Sequence, residues 1–153
     1  MPGMRKIIIT AALATLVAAP LFAAAQDVVN TRVDGLKHMG AAFKNVNDQL
    51  KSGTPQLSVL QLSARQISDA AKAQYGWFPA GSGPQPGVKT RAKPEIWTQP
   101  AQFKAAQDGL ATQAAAFSKV VATGDMAAIA AQTKQLGGAC GACHHQFRAE
   151  EGH

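Results

Sequence analysis

Val29, Val33, Leu36, Met39, Phe43, Val46 and Leu50 follow one another in steps of 4, 3, 3, 4, 3 and 4. That is the period of a helix with a single apolar stripe. It predicts a first helix from Asp27 to about Lys51, ended at Gly53. Thr54-Pro55 reads as an N-cap followed by proline at the first helical position. Leu57, Leu60, Ala64, Ile67, Ala71 and Tyr75 then carry a second helix to about Gln74. The short connection makes these two helices antiparallel neighbours. Between Gly76 and Lys93 the period disappears among four glycines (Gly76, Gly81, Gly83, Gly87) and three prolines (Pro79, Pro84, Pro86), a long loop able to wrap the edge of a cofactor. Thr98 is placed to cap a third helix with the stripe Phe103, Ala106, Leu110, Ala114, Phe117 and Val121. Asp125 caps a fourth, whose stripe is Met126, Ile129, Thr133, Leu136, Cys140, Cys143 and Phe147. The expected fold is all-α: an antiparallel, up-down-up-down four-helix bundle with one long loop between helices 2 and 3. Gly137-Gly138 costs the fourth helix roughly 1 kcal/mol per glycine. A flat ring packed on the backbone there would account for it.

The N-terminus reads differently. Arg5 and Lys6 precede an apolar run from Ile7 to Leu21, and Phe22-Ala23-Ala24-Ala25 offers small residues for a signal peptidase. At 15 residues the run is short for a membrane span. Residues 1–25 are therefore expected to be a cleaved secretory signal peptide, with 26–153 as the single mature domain in the periplasm. Cleavage removes two of the charges behind the formal +6, leaving about +4 (6 − 2). That charge could steer acidic partners but forms no run, so neither nucleic acid nor a membrane-integral role is indicated.

The two cysteines lie in Cys140-Gly141-Ala142-Cys143-His144, the pattern that attaches a c-type haem. On a helix, residues three and four apart share one side. Two thiols so placed can each add to one haem vinyl group, with the following imidazole held beneath the iron as proximal ligand. Export would also permit a Cys140–Cys143 disulfide on a haem-free scaffold, but no βαβ pattern accompanies it. Zinc lacks ligands, because His145 points about 100° away from His144. His145 reads as a solvated neighbour and His153 as a tail residue. No catalytic dyad or substrate pocket is legible, so the chain does not read as an enzyme.

Three segments together resemble the cytochrome c′ family of class II c-type cytochromes. They are Cys140-Gly-Ala-Cys143-His144-His-Gln-Phe147-Arg148, Thr90-Arg-Ala-Lys-Pro94-Glu95-Ile96-Trp97, and Thr31-Arg32-Val-Asp-Gly-Leu36-Lys-His-Met39. Cytochromes c′ are themselves a standing example of the four-helix bundle. The resemblance implies one haem c bound through Cys140 and Cys143, with His144 as the axial iron ligand. It places Arg32 near a haem propionate, Arg148 beside the proximal face and Thr90 among the cofactor-binding residues. High-spin members have no protein ligand on the distal side. Low-spin relatives place a methionine four residues after the first-helix arginine, and here that position is Leu36.

Leu36 cannot bind iron, so the expected centre is five-coordinate with an apolar distal pocket. A pocket without hydrogen-bond donors favours nitric oxide and carbon monoxide over oxygen. The expected function is binding of these diatomic gases, transfer of electrons to redox partner proteins, or both. The alternative is a low-spin electron carrier with Met39 as sixth ligand, although Met39 also fits as core filler. His38, about 200° from Leu36, should face outward. Homodimers through the first two helices are usual in the family.

Overall fold

The computed structural model describes residues 19–150. It contains α1 (Ala19–Lys51), α2 (Leu57–Ala73), the single turn α3 (Glu95–Thr98), α4 (Pro100–Thr123) and α5 (Met126–Phe147). Most of the expected signal peptide, and His153, lie outside the described residues. α1 begins before Asp27 and runs through the expected Ala25–Gln26 cleavage point without a break, because the alanines there are strong helix formers. No helix among the described residues is long and apolar enough to cross a membrane.

Two of the expected caps move. Gln56, in extended conformation, precedes α2, so Thr54-Pro55 belongs to the connection. Thr98 closes α3, and Gln99 is the N-cap of α4 because Pro100 takes the first helical position. Asp125 caps α5 as expected, accepting hydrogen bonds from the N–H groups of Ala127 (2.9 Å) and Ala128 (3.1 Å). Asp125→Ala should cost about 1 kcal/mol in a urea titration. An unchanged midpoint would mean that α5 starts without this cap.

Cross-helix hydrogen bonds fix the directions. Gln74 Nε2 donates to Gln107 O and Gln107 Nε2 to Gln74 O, both at 3.3 Å, while Ser118 Oγ donates to Ala64 O at 3.5 Å. α2 and α4 therefore run antiparallel. Gln132 bonds Gln113 (2.7 Å) and Gln146 bonds Gln102 (3.1 Å), so α4 and α5 do as well. With α1 reversing into α2 through residues 52–56, α1 and α5 are also antiparallel. The result is the expected four-helix bundle, with α3 as one extra turn at the end of the long loop.

The main core joins Met39, Ala42, Val46, Leu60, Ile67, Leu110, Phe117, Ile129 and Leu136. Tyr75, expected to extend the second apolar stripe, is instead exposed and donates its hydroxyl to Asp108 at 2.7 Å. α1 packs closely on α2, α2 on α4 and α4 on α5, whereas α1 and α5 touch only sparsely. The functional residues gather along that loosely packed side.

Candidate functional site

The Asp125 cap sets the helical register of α5, which carries Cys140 one turn before the adjacent Cys143 and His144. The two cysteines are half-buried free thiols rather than fully buried, and they are not joined as a disulfide. Cys140 packs on the main core. Cys143 packs on a second cluster of Ile96, Phe103 and Phe147 with Phe78, Ala92 and Trp97 at its margin. There Phe103 meets Phe78 edge-on at 4.8 Å and Phe147 at 5.1 Å. The loop's last segment is fastened to the end of α5: Lys93 N donates to Phe147 O (2.9 Å) and Ala149 N to Arg91 O (2.8 Å).

Burial pushes both thiols above their ordinary pKa, so at neutral pH they are protonated. Partial desolvation, followed by the charges of Arg148 and Arg91, lowers the His144 pKa. It therefore favours the neutral imidazole, the form that binds a metal. His144 Nδ1 lies 3.5 Å from Nη1 of exposed Arg148. Among the described residues no group of three His, Cys, Asp or Glu side chains is placed to hold a metal ion.

The register of α1 against α5 follows from one contact. A Cβ on Gly137 would stand 3.1 Å from Phe43 Cζ, so the Phe43 ring lies on the α5 backbone. The flat ring expected over the double glycine is thus a phenylalanine at Gly137, and Gly138 has nothing within 4 Å. In antiparallel helices, seven residues back along α1 and seven forward along α5 advance the same distance, about 10.5 Å. That brings Leu36 level with His144. Seven residues are also within about 20° of two full turns, so Leu36 shares Phe43's heading toward α5.

Met39 lies about 60° round α1 from Leu36. It is 8% exposed and belongs to the core with Ala42, Val46 and Leu60. Leu36 is only half-buried, and His38 is exposed as expected.

Arg32, one turn before Leu36, is 2% exposed. Its Nη1 donates to Ser82 Oγ (3.1 Å) and Trp77 O (3.4 Å). Its Nη2 donates to Ser82 O (3.1 Å) and Thr90 Oγ1 (2.9 Å). The guanidinium also lies 4.8 Å from the Phe78 ring centroid and 5.9 Å from that of Trp97. No carboxylate among the described residues bonds it, and burial lowers its pKa. Arg32 and Thr90, picked out from separate segments, thus meet directly. Ser82, Phe78 and Trp77 went unnoticed in the sequence, because nothing in a Gly/Pro-rich loop marks which of its residues turn inward.

These features fit a haem. α5 offers two thiols and a neutral imidazole, and α1 faces them across the loosely packed side with an apolar Leu36. A buried arginine lacking a carboxylate partner lies one turn away from Leu36, suited to an acidic substituent.

The comparisons with known proteins agree. A family model described as Cytochrome C′ matches residues 27–148. The chain is similar to cytochrome c′ of Rhodospirillum rubrum, at 31% identity over 150 residues, covering 96% of this chain and 100% of that one. A crystal structure of a mutant Rhodopseudomonas palustris cytochrome c′ superposes with a TM-score of 0.72 at 34% identity, covering 81% of this chain and 98% of that chain. A nitric oxide complex of a mutant cytochrome c prime from Alcaligenes xylosoxidans shares the fold, with a TM-score of 0.75 at 22% identity over 83% of this chain and 97% of that chain.

Proposed function

The chain belongs to the cytochrome c′ family, with one haem c covalently bound through Cys140 and Cys143, and from that premise we propose that it is a five-coordinate, high-spin gas-binding cytochrome of the periplasm. His144 is the proximal ligand, and Arg148 beside its Nδ1 steadies the ring. Thr90 and Arg32 form the cradle for a propionate. The haem supplies the iron that binds a diatomic gas or exchanges an electron. The protein holds that haem, keeps water from its distal side and offers no sixth ligand. It works by binding nitric oxide or carbon monoxide and by passing electrons to redox partner proteins, not by turning over a substrate.

The observation that carries this reading is the pair Leu36 and Met39. Helical register brings Leu36 level with His144, and Leu36 packs half-buried at the margin of the main core, while Met39 is a buried member of that core. Withdrawing that methionine to bind iron would open a cavity costing about 2–5 kcal/mol. The nitric oxide complex solved for the Alcaligenes xylosoxidans protein supports the gas-binding half of the proposal by shared fold.

With Leu36 over the distal face, its bulk opposes a bound diatomic. Optical titration of the ferrous protein with carbon monoxide should show Leu36→Ala binding about tenfold tighter, a relief of about 1.4 kcal/mol. Equal affinity in both proteins would place Leu36 away from the gas.

A further inference from the structure

Trp77 stands where the long loop meets α1, and nothing in the proposed function uses it. A Cβ on Gly35 would lie 2.4 Å from Trp77 Cζ2, 2.5 Å from Cη2 and 3.0 Å from Cε2. The benzo edge of the indole therefore rests on bare α1 backbone, and only glycine admits it there. Gly35 directly precedes Leu36, so the ring flanks the same turn of α1 that faces His144.

On its outer side lies a shallow depression of about 260 Å³, lined by Asp27, Val28, Thr31, Gly76, Trp77 and Pro79. A water occupies about 30 Å³ in the liquid, so a diatomic gas fits there easily. Thr31 and Gly35 are one turn apart on one helix face. The depression thus leads along α1 to the indole, which forms one of its walls, and Leu36 is not among its lining residues.

The two tryptophans near the site are held differently. Trp97 Nε1 donates to Pro79 O at 3.1 Å. Trp77 is fixed through its main chain, its N donating to Gln74 O (3.1 Å) and its O accepting from Arg32 Nη1 (3.4 Å). Among the described residues its indole N–H has no acceptor. The backbone is anchored while the ring is retained by packing alone, which lets the side chain change rotamer without breaking a hydrogen bond.

We propose that Trp77 is a gate on the distal side, with its indole seated on Gly35 setting how fast a neutral diatomic reaches the iron beside Leu36. This rests on the five-coordinate reading with Leu36 as the distal residue. The gate controls rate and leaves equilibrium spectra alone, because the indole is a wall of the path and not a contact of the bound gas. Gly35→Ala acts on the same gate from the other side by displacing the ring.

The test is flash photolysis of the carbon monoxide complex of the ferrous holoprotein. Trp77→Ala should raise the bimolecular association rate about tenfold, equivalent to about 1.4 kcal/mol of barrier, with the dissociation rate raised by the same factor and the affinity and absorption spectrum unchanged. Trp77→Phe should fall between the two. In a Trp97→Phe background, Trp77 is the only tryptophan and its quenching by iodide reads its position directly. Gly35→Ala should increase that quenching and the association rate together. Association rates unchanged in Trp77→Ala and Gly35→Ala, with Met39→Leu equally silent, overturn the gate but leave the five-coordinate centre standing. A rate raised by Met39→Leu and not by Trp77→Ala overturns the five-coordinate reading itself. A spectrum or affinity altered by Trp77→Ala makes Trp77 part of the haem environment and not a gate.

Discussion

Cys140→Ala combined with Cys143→Ala is expected to give a protein whose haem is removed completely by acid–acetone. The wild type should keep all of it in the protein pellet. Each thiol forms one thioether, so either single variant should retain haem through the remaining bond. The double variant keeps His144, and one imidazole–iron bond does not survive acid, which protonates the ring. The bundle itself should remain helical, because the main core from Met39 to Leu136 contains neither cysteine, Cys140 packs only against its margin, and both side chains are only half-buried. Far-ultraviolet circular dichroism separates loss of attachment from loss of fold. Haem that stays with the double variant through extraction would show that other residues attach it.

The next largest effect belongs to Arg32. Arg32→Met keeps much of the side chain's length but removes every donor that the loop uses. Trp77 O, Ser82 O and the hydroxyls of Ser82 and Thr90 each lose a bond to a buried cation. Ser82 Oγ still donates to Pro79 O, and Thr90 Oγ1 still accepts from Ala92 N, which softens the loss. The expected cost is about 3 kcal/mol, or roughly 10 °C in Tm for a domain of this size. Hydrogen exchange should quicken across residues 76–93 while α2 and α4 remain protected. Arg32→Lys should recover part of the stability, since it keeps the charge but loses the fork that reaches Ser82 and Thr90 together. A variant as stable as wild type, with a protected loop, would mean that the loop is held by packing alone.

These expectations show what was legible in the sequence. Apolar stripes located the four long helices because a buried face repeats every three or four residues whatever it packs against. Cys140, Cys143 and His144 were equally legible, since their chemistry depends on spacing along a single helix. Cap positions were less so. Thr54 and Thr98 are good capping types, but each lies near a proline, and proline fits both an extended approach and a first helical turn. The structure assigns those roles to Gln56 and Gln99.

The setting of Arg32 was legible only through family resemblance. Its partners lie 45 to 58 residues away in a loop without period, and only the closed chain shows the guanidinium buried among them. The level of Leu36 against His144 likewise follows only from the three-dimensional register, extended by helical geometry from Phe43 lying on Gly137. Met39 makes the point most clearly. One step along the same stripe separates it from Leu36, and packing buries Met39 within the core while Leu36 stays half-buried at its margin.

The central claim is that the iron has one protein ligand, His144. Electron spin resonance of the purified ferric protein tests it most directly, recorded for wild type and for Met39→Leu. Five-coordinate iron gives a high-spin signal that is the same in both. A low-spin signal in the wild type that disappears in Met39→Leu would contradict it and make Met39 the sixth ligand.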